Sequence, residues 1–257
     1  MTTLTLDTLY RYPVKGPSPE TIREAALTPN DYFPGDRLFA IENGPSGFDP
    51  LQPRHQPKIK YLMLMRDEAL ARLDTRFDEA AGVLTIRHEG ALAVEADLAS
   101  PEGCRSVEGF LKSYMADSLR GEPRLLTAPS GYRFTDSPRG YVSLVNLASV
   151  TALEGMTGAA VDPLRFRANL YVTGLEPWAE LDLVDRILAG ADGLRLRIIS
   201  RTVRCAATNV DPATGIRDLS IPRTLHAHLG HADCGVYAEV LEGGRAAIGD
   251  RLTFGPT

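Results

Sequence analysis

Residues 234–244 read CGVYAEVLEGG and residues 246–254 read AAIGDRLTF, and these two segments decide the fold class. Both are short and rich in branched and aromatic residues, and the Gly243-Gly244 pair between them predicts two strands joined by a tight turn. Three similar segments precede them: YVSLV, NLYVTGL and LRLRIIS, at residues 141–145, 169–175 and 194–200. Several short strands with few helices favour a β-barrel over a doubly wound sheet.

The first half of the chain predicts a second, smaller β unit. Residues 3–12, TLTLDTLYRY, alternate apolar and polar positions as a half-buried strand does, and DRLFAIEN at 36–43 and VLTIRHEGALAVEADL at 83–98 predict further strands. Residues 65–77 have helical spacing. We place the boundary near residue 120, in a segment rich in Gly, Pro and Ser, so the predicted domains are residues 1–120 and 121–257.

Two segments predict helices with recognisable ends. Behind Ser106, a candidate N-cap, apolar residues recur at helical spacing: Val107, Phe110, Leu111, Tyr114 and Met115. Residues 148–158, ASVTALEGMTG, predict a short helix closed by Gly158. The predicted fold class is therefore mixed α/β and mainly β.

The composition limits the function classes. The 257 residues carry a formal charge of −5, which argues against a nucleic-acid surface. No stretch is long and apolar enough to cross a bilayer and the start has no leader pattern, so we expect a cytoplasmic protein without a membrane partner. Three cysteines without paired spacing are expected to be reduced thiols. Only four of the 28 basic residues are lysines, so arginine clusters must be judged against an arginine-rich background.

Cys205 lies in RTVRCAATNVDPATG, directly after Arg204 and close to Arg201. Nearby cations lower the pKa of a thiol and favour the thiolate, which is a nucleophile or a ligand for a soft metal. A lone cysteine is more often a small buried hydrophobic residue. These residues alone leave both interpretations open.

Two further segments suggest an anion-binding surface. In LRFRANLYV, the side chains of Arg165, Arg167 and Asn169 line one face if the segment is a strand. In RYPVKG, Lys15 follows a strand end in a proline-flanked loop, where a scarce lysine can reach a phosphate. An exposed strand face and a solvated loop lysine are the structural alternatives.

A histidine-rich segment, HAHLGHADC, offers residue types that bind zinc: His226, His228, His231 and Cys234. The first two histidines diverge on a helix and Gly230 interrupts regular geometry, so surface histidines are the favoured interpretation. No serine lies in the G-x-S-x-G pattern that marks a catalytic nucleophile.

Five segments, taken in order, resemble the MOSC-domain family: YRYPVKG, DRLFAI, RFRANLYVTGLEPW, RCAATNVDPATG and GVYAEVLEGGRAAIGDRL. The family is named for the C-terminal domain of molybdenum-cofactor sulfurase and includes amidoxime-reducing proteins. The resemblance spans almost the whole chain and implies a MOSC β-barrel-like domain with a smaller N-terminal β-barrel domain. It also implies that the chain binds the molybdenum cofactor, Mo-molybdopterin.

The resemblance implies roles for individual residues. Cys205 matches the cysteine of the RC-x-x-T-x-V-D-P motif, which ligates molybdenum in the family. The residues expected to hold the cofactor are Lys15, Arg37, Arg165, Arg167 and Asn169, with Arg204, Thr208 and Ser149 as further candidates. Independently of the family, a soft metal is expected to take a thiolate, and a phosphate is expected to need basic residues in this acidic chain.

The sequence departs from the family pattern at three positions. Gly16 stands where a serine is common, which removes a candidate hydroxyl contact, and Ala168 stands where a proline is usual. Cys234 stands where a bulky apolar residue is frequent, which makes it a candidate second thiol. Three scattered cysteines provide no site for an iron–sulfur cluster, so we expect electrons to come from a separate ferredoxin- or flavin-reductase-like partner.

The expected activity is the reduction of N-hydroxylated or N-oxide small molecules by a monomer that uses the molybdenum cofactor. The alternative is a carrier of the cofactor or of persulfide sulfur that does not turn over small molecules. Asp211 lies close to Cys205, but its Asp-Pro context predicts a structural role, so no proton donor is assigned.

Overall fold

A computed structural model describes residues 3–254, and the chain is mainly β, as predicted. The strands are β1 (Thr3–Arg11), β2 (Glu20–Ile22), β3 (Glu24–Leu27), β4 (Phe39–Asn43), β5 (Leu73–Asp78), β6 (Val83–His88), β7 (Ala91–Asp97), β8 (Pro123–Thr127), β9 (Val142–Asn146), β10 (Leu170–Thr173), β11 (Ile187–Ala189), β12 (Arg195–Val203), β13 (Asp233–Glu242), β14 (Gly244–Ala247) and β15 (Arg251–Phe254). The α-helices are α1 (Pro101–Tyr114), α2 (Leu147–Thr157) and α3 (Ile221–Leu229).

Seven strands form a closed barrel in the order β1, β10, β9, β13, β12, β11, β15 and back to β1. Closure leaves no free edge among these strands, and β2 extends the sheet from β1. Along β13, Val236, Ala238 and Val240 are buried in the barrel interior, while Tyr237 and Glu239 alternate with them and are half-buried on the outer face. The outer face of β9, β12 and β13 is therefore available for a site.

The barrel uses strands from both sides of the predicted boundary near residue 120. Leu6 of β1 pairs with Val172 of β10, and Leu4 pairs with Leu252 of β15. The first half also forms a three-stranded sheet, β5-β6-β7, while β4 pairs with β8, which lies just past residue 120, and β3 pairs with β14. Helix α1 buries Val107 and Leu111 in the hydrophobic cluster of this half. No helix within residues 3–254 is both long and apolar enough to cross a membrane.

Helix α2 confirms its predicted end at Gly158. The side chain of Asn146 caps its first turn by accepting a hydrogen bond from the backbone N–H of Ala148, and Gly158 ends it in the left-handed conformation. The N-cap of α1 lies six residues before the predicted one: it is Ser100, because its hydroxyl accepts from the backbone N–H of Gly103 and Pro101 suits the first helical position.

Two other local predictions are wrong, and one predicted strand begins later than expected. Residues 65–77 form a short 3₁₀ turn, Glu68–Arg72, followed by β5, because pairing with β6 overrides the helical spacing. The strand predicted from residue 36 begins at Phe39, after Arg37 in a left-handed turn. The Gly243-Gly244 pair does not close a hairpin, since β14 pairs with β3 rather than with β13.

Candidate functional site

A cavity of about 300 Å³ lies between the outer face of the barrel and the loops of the first half. Ser143 of β9, Thr202 of β12 and Tyr237 of β13 form its barrel wall. The loop after β1 and residues 63–65 contribute the opposite wall. This volume is at the lower end of the roughly 300–1,000 Å³ range of small-molecule sites.

The cavity is strongly cationic although the chain is acidic. Two acidic side chains line it, those of Asp36 and Asp136. Seven basic side chains do so: Lys15, Lys58, Arg37, Arg139, Arg165, Arg167 and Arg204. A cleft lined mostly by one sign of charge attracts ligands of the other sign, so the geometry favours an anionic ligand.

Lys15 reaches the cavity from the loop after β1. Its Nζ donates a hydrogen bond of 3.0 Å to the carbonyl of Phe134 and forms an ion pair with Asp136. Burial lowers the pKa of Lys15, and Asp136 opposes this effect. Burial alone raises the pKa of Asp136, but the charges of Lys15 and Lys58 bring it well below its usual value, so this carboxylate stays ionised.

Arg37 and Arg167 converge on one aromatic ring. Both are in the left-handed region, with φ of 47° and 51°, and the guanidinium carbon of each lies 4.3 Å from the ring centroid of Tyr12. Arg37 pairs with Asp36, whereas Arg167 donates to the carbonyl of Pro17 at 2.7 Å and has no carboxylate partner within residues 3–254. Burial and the neighbouring Arg37 lower the pKa of Arg167 to about 10. A bound anion relieves this repulsion.

Arg165 holds the loop that carries the cysteine. Its guanidinium binds both carboxylate oxygens of Asp218, at 2.8 and 2.7 Å, and also Asp211 and the carbonyl of Asn209. Its side chain is 1% exposed. The prediction that it shares a strand face with Arg167 and Asn169 is wrong: residues 163–166 form a 3₁₀ turn and β10 begins only at Leu170. Most of its donors are therefore used within the protein.

Asn169 and Thr208 also line the cavity, but their polar groups are engaged locally. Asn169 Oδ1 accepts from the hydroxyl of Ser143 at 2.9 Å, and its Nδ2 donates to the carbonyl of Tyr10 at 3.3 Å. Thr208 Oγ1 donates to the carbonyl of Cys205 at 2.9 Å. These bonds fix the wall and the cysteine backbone.

Cys205 lies in the cavity wall just before a 3₁₀ turn at Ala206–Asn209, and it is half-buried. The segment that follows it is docked on the first half: Val210 is buried in that hydrophobic cluster, and Arg217 donates to the carbonyl of Met65 at 2.8 Å. The thiol therefore has a defined position.

Two arginines shortly precede Cys205, Arg201 and Arg204, and of these two Arg204 lines the cavity. Arg204 donates through Nε to the carbonyl of Cys234 at 2.6 Å and through Nη1 to the carbonyl of Phe166 at 2.9 Å. Its Nη2 is buried and has no hydrogen-bond partner among residues 3–254. Arg201 instead donates to Leu181 and Asp182 and does not line the cavity.

The structure does not place Cys234 as a second thiol in the cavity. It is fully buried in an apolar cluster with Val145 and Leu225, and burial raises its pKa to about 12. The nearby histidines His226 and His228 lie at the exposed end of α3. No group of three or more potential metal ligands occurs in the described part of the chain, so the zinc alternative gains no support.

We expect the three thiols of cofactor-free protein to differ in accessibility. Iodoacetamide at pH 8 should alkylate the half-buried Cys104 and Cys205, whereas Cys234 should react only when the protein unfolds, because it is buried and protonated. Peptide mass spectrometry against time measures the three rates. Alkylation of Cys234 at the rate of Cys104 would contradict this placement.

Ser149 is the one predicted cofactor-binding residue that does not line the cavity. It is fully buried, donates to Glu180 Oε2 at 2.8 Å and accepts from the backbone N–H of Trp178 at 2.8 Å. Burial raises the pKa of Glu180, and the hydrogen bonds from Ser149 and Asn146 oppose this effect. Ser149 therefore supports a buried polar cluster rather than a ligand.

Ser149→Ala is expected to lower the free energy of unfolding by about 1–3 kcal/mol, because it removes one of the two side-chain donors to the buried Glu180 carboxyl group and the acceptor for the Trp178 N–H. Urea unfolding measures this change. Thr151→Ala, which removes an exposed hydroxyl from the same helix, serves as the control. Loss of cofactor from a stably folded Ser149→Ala variant would instead assign this residue to the site.

Several cavity residues have no signal in their local sequence. Asp136, Arg139, Tyr141 and Tyr237 reach the wall through tertiary contacts only. Lys58 could have been suspected from the sequence because lysine is scarce in this chain. Two of its four lysines, Lys15 and Lys58, line the cavity.

The closed barrel, the smaller first half and the thiol in a cationic cavity define a class, and comparison with protein families identifies it. Residues 3–118 match the MOSC N-terminal beta barrel domain and residues 131–253 match the MOSC domain. The chain belongs to the MOSC-domain family, which confirms the resemblance seen in the five motifs.

One curated relative and two solved structures are similar to the chain. The molybdenum cofactor sulfurase of Caenorhabditis elegans is 27% identical over 84% of the chain, which spans 30% of that protein's length. The YuaD protein from Bacillus subtilis aligns over 97% of the chain and 94% of its own, with 11% identity and a TM-score of 0.44. YiiM from Geobacillus stearothermophilus aligns over 45% of the chain and 54% of its own, with 17% identity and a TM-score of 0.36.

Proposed function

We propose that the chain binds the molybdenum cofactor in this cavity, with Cys205 as the protein ligand of the metal. The observation that carries the proposal is the half-buried thiol in the wall of a cavity lined by seven basic side chains. A thiolate is a suitable ligand for a soft metal, and the pterin's phosphate is a suitable ligand for lysine and arginine.

The residues present fit this group in their donor chemistry. Arg167 has a guanidinium without a carboxylate partner in the described chain, and Lys15 shares its charge with the half-exposed Asp136. We assign Lys15, Arg37 and Arg167 to the phosphate and pterin. Two buried donors on cavity-lining arginines lack a partner within residues 3–254, Arg204 Nη2 and Arg165 Nε. Arg165, Asn169 and Thr208 position the wall through the hydrogen bonds described above.

Gly16, which lines the cavity, has a backbone conformation that favours glycine. Its φ is +109°, and a Cβ at this position would lie 2.8 Å from Leu70 Cδ1. A serine here would be strained, so the backbone conformation of this turn accounts for the glycine.

The proposed reaction is the reduction of an N-hydroxylated or N-oxide compound: an N–OH group, two electrons and two protons give N–H and water. The bound cofactor would supply a metal that accepts and donates the electrons and polarises the N–O bond. Cys205 holds the metal in place and the basic wall orients the cofactor. We propose a cytoplasmic protein that receives electrons from a separate protein.

Asp211 is not available as the proton donor. Its Oδ1 accepts from Thr214 and Ala213, and its Oδ2 accepts from Arg165. Burial raises its pKa, but these hydrogen bonds and the arginine charge outweigh that effect and lower it. The structural role predicted from its Asp-Pro context agrees with these contacts.

The second candidate is a carrier of the cofactor or of persulfide sulfur on Cys205. The similar protein from Caenorhabditis elegans is named a molybdenum cofactor sulfurase, and this name is the reason for proposing a carrier. In this case the same cavity binds the cofactor without reducing small molecules.

One experiment separates the two candidates. Protein from a host that makes the cofactor is assayed for molybdenum, and benzamidoxime reduction is followed with reduced methyl viologen as the electron donor. The reductase proposal predicts about one molybdenum per chain and turnover that depends on it. Bound molybdenum without turnover supports the carrier, and cofactor-free protein after expression in that host contradicts both.

A further inference from the structure

A surface at the rim of the cavity is basic and exposed. Residues 51–66, LQPRHQPKIKYLMLMR, contain four basic residues and no Asp or Glu in a chain whose formal charge is −5. Arg120 adds a fifth charge, because its Nη2 donates to the carbonyl of Ile59. We call this set the basic rim: Arg54, Lys58, Lys60, Arg66 and Arg120.

Four members of the basic rim are grouped around the turn Lys58–Lys60 and the neighbouring Asp67, and Arg54 precedes this turn in the chain. Lys58 and Lys60 share one 3₁₀ turn, Lys58–Lys60, and Arg120 contacts that turn. Arg66 precedes Asp67 in the chain, and the charges of Arg66 and Arg120 both lower the pKa of the Asp67 carboxyl group. Asp67 itself is buried and accepts from the backbone N–H of Met63.

The charges of the basic rim are largely unpaired. Lys58 lies 3.6 Å from Asp136, and no carboxylate lies within 4 Å of the other four side-chain charges in the described part of the chain. Lys60, Arg66, Arg54 and Arg120 are exposed. Two apolar side chains accompany them, Leu51 at 90% and Ile59 at 46% exposure. Unpaired charge beside exposed apolar area is typical of a protein interface.

The position of the basic rim connects it to the cavity. Lys58 belongs to both, and residues 63–65 leave the rim to form a cavity wall. A protein that docks on the rim therefore comes close to the cavity that holds Cys205. Electron transfer requires such proximity, so a donor protein benefits from docking here.

We infer that the basic rim is the docking surface for an acidic electron-transfer protein, which delivers the two electrons that each reduction consumes. This inference rests on the proposed function. Charge complementarity defines the partner: opposite charge speeds the encounter, while Leu51 and Ile59 add apolar contact. A nucleic acid fits less well, because the net charge of the chain repels an extended polyanion.

The test uses cofactor-loaded protein and two electron donors. One donor is an acidic [2Fe–2S] ferredoxin kept reduced by its reductase and NADPH, and the other is reduced methyl viologen. The rim variant carries Lys60→Glu and Arg66→Glu. The control variant carries Arg23→Glu and Arg251→Glu, which make the same change in charge at exposed positions that do not line the cavity.

The expected result is a KM for ferredoxin raised roughly tenfold in the rim variant and unchanged in the control, with methyl viologen turnover equal in all three proteins. The KM of the wild type should rise with salt. Equal ferredoxin KM values in both variants would overturn the inference. Methyl viologen turnover without any ferredoxin-dependent turnover would also count against it.

A binding measurement separates failure of this inference from failure of the proposed function. Gallium-substituted ferredoxin is redox-inactive, and its titration by calorimetry needs no turnover. Salt-sensitive binding that is lost only in the rim variant supports the docking surface even if no reductase activity exists. Absence of binding, or displacement by an equal concentration of a double-stranded oligonucleotide, would overturn it.

Discussion

Cys205→Ser is expected to remove molybdenum from the protein and to lower turnover more than about a hundredfold. Residues that only support a metal ligand already cost about 10- to 100-fold when they are mutated, so loss of the ligand itself should cost more. Serine keeps the size and the hydrogen-bonding capacity of the side chain but replaces a soft sulfur with a hard oxygen. Metal analysis and benzamidoxime reduction measure the two effects.

A second thiol provides the matched control for this substitution. Cys104 is also half-buried, but it lies on α1 and its Sγ contacts the carbonyl of Leu98, away from the cavity. Cys104→Ser should keep both metal and turnover. Full molybdenum content in Cys205→Ser would contradict the assignment of this sulfur as the ligand.

Gly235→Ala is expected to lower the free energy of unfolding by about 3 kcal/mol or more, because strain and a backbone clash act together. Its φ is +78°, and a Cβ would lie 2.4 Å from the carbonyl oxygen of Leu144 and 2.9 Å from Arg204 Nη2. For a chain of this size the loss corresponds to a Tm lower by roughly 6–12 °C. Calorimetry measures it.

Gly155→Ala is the control for this prediction. Gly155 lies inside α2, and apart from its chain neighbours and the backbone of its own helix, no atom of residues 3–254 lies within 4 Å of the position that a Cβ would take. Alanine favours a helix interior over glycine by about 1 kcal/mol, so this variant should be as stable as the wild type or slightly more stable. Equal Tm values for Gly235→Ala and wild type would show that β9 and β13 can separate at this point.

Gly235 lies on barrel strand β13 and next to Arg204, which lines the cavity. Arg204 occupies the space beside the glycine and is held there by the carbonyls of Cys234 and Phe166. A side chain at residue 235 must displace this guanidinium. The folded fraction of Gly235→Ala is therefore expected to hold less cofactor than the wild type.

Local patterns predicted most strands because alternation and turn residues act over short distances. The strand of residues 3–12 and the pair within residues 83–98 are confirmed, as is the cap of α2 at Gly158. Strand partners depend on distant residues, and this explains the error at Gly243-Gly244: β14 pairs with β3, which lies more than 200 residues earlier. Helical spacing in residues 65–77 failed for a different reason, because β5 pairs with the next strand, β6, and this pairing overrides the local pattern.

The sequence predicted which residues belong to the candidate site better than it predicted what each residue does there. Cys205, Arg204, Lys15 and Arg37 line the cavity as the family motifs implied, but their functions remain predictions. Arg165 looked like a cofactor ligand in sequence, and only the fold reveals that Asp218 and Asp211 occupy its donors. These partners lie 53 and 46 residues away along the chain, beyond the reach of any local pattern.

Anomalous diffraction at the molybdenum edge, from crystals of protein produced in a cofactor-making host, tests the central claim most directly. We predict an anomalous peak within bonding distance of Cys205 Sγ, with the cofactor phosphate among Lys15, Arg37 and Arg167. A peak bound elsewhere, or a cavity without molybdenum in protein that reduces benzamidoxime, would contradict the account.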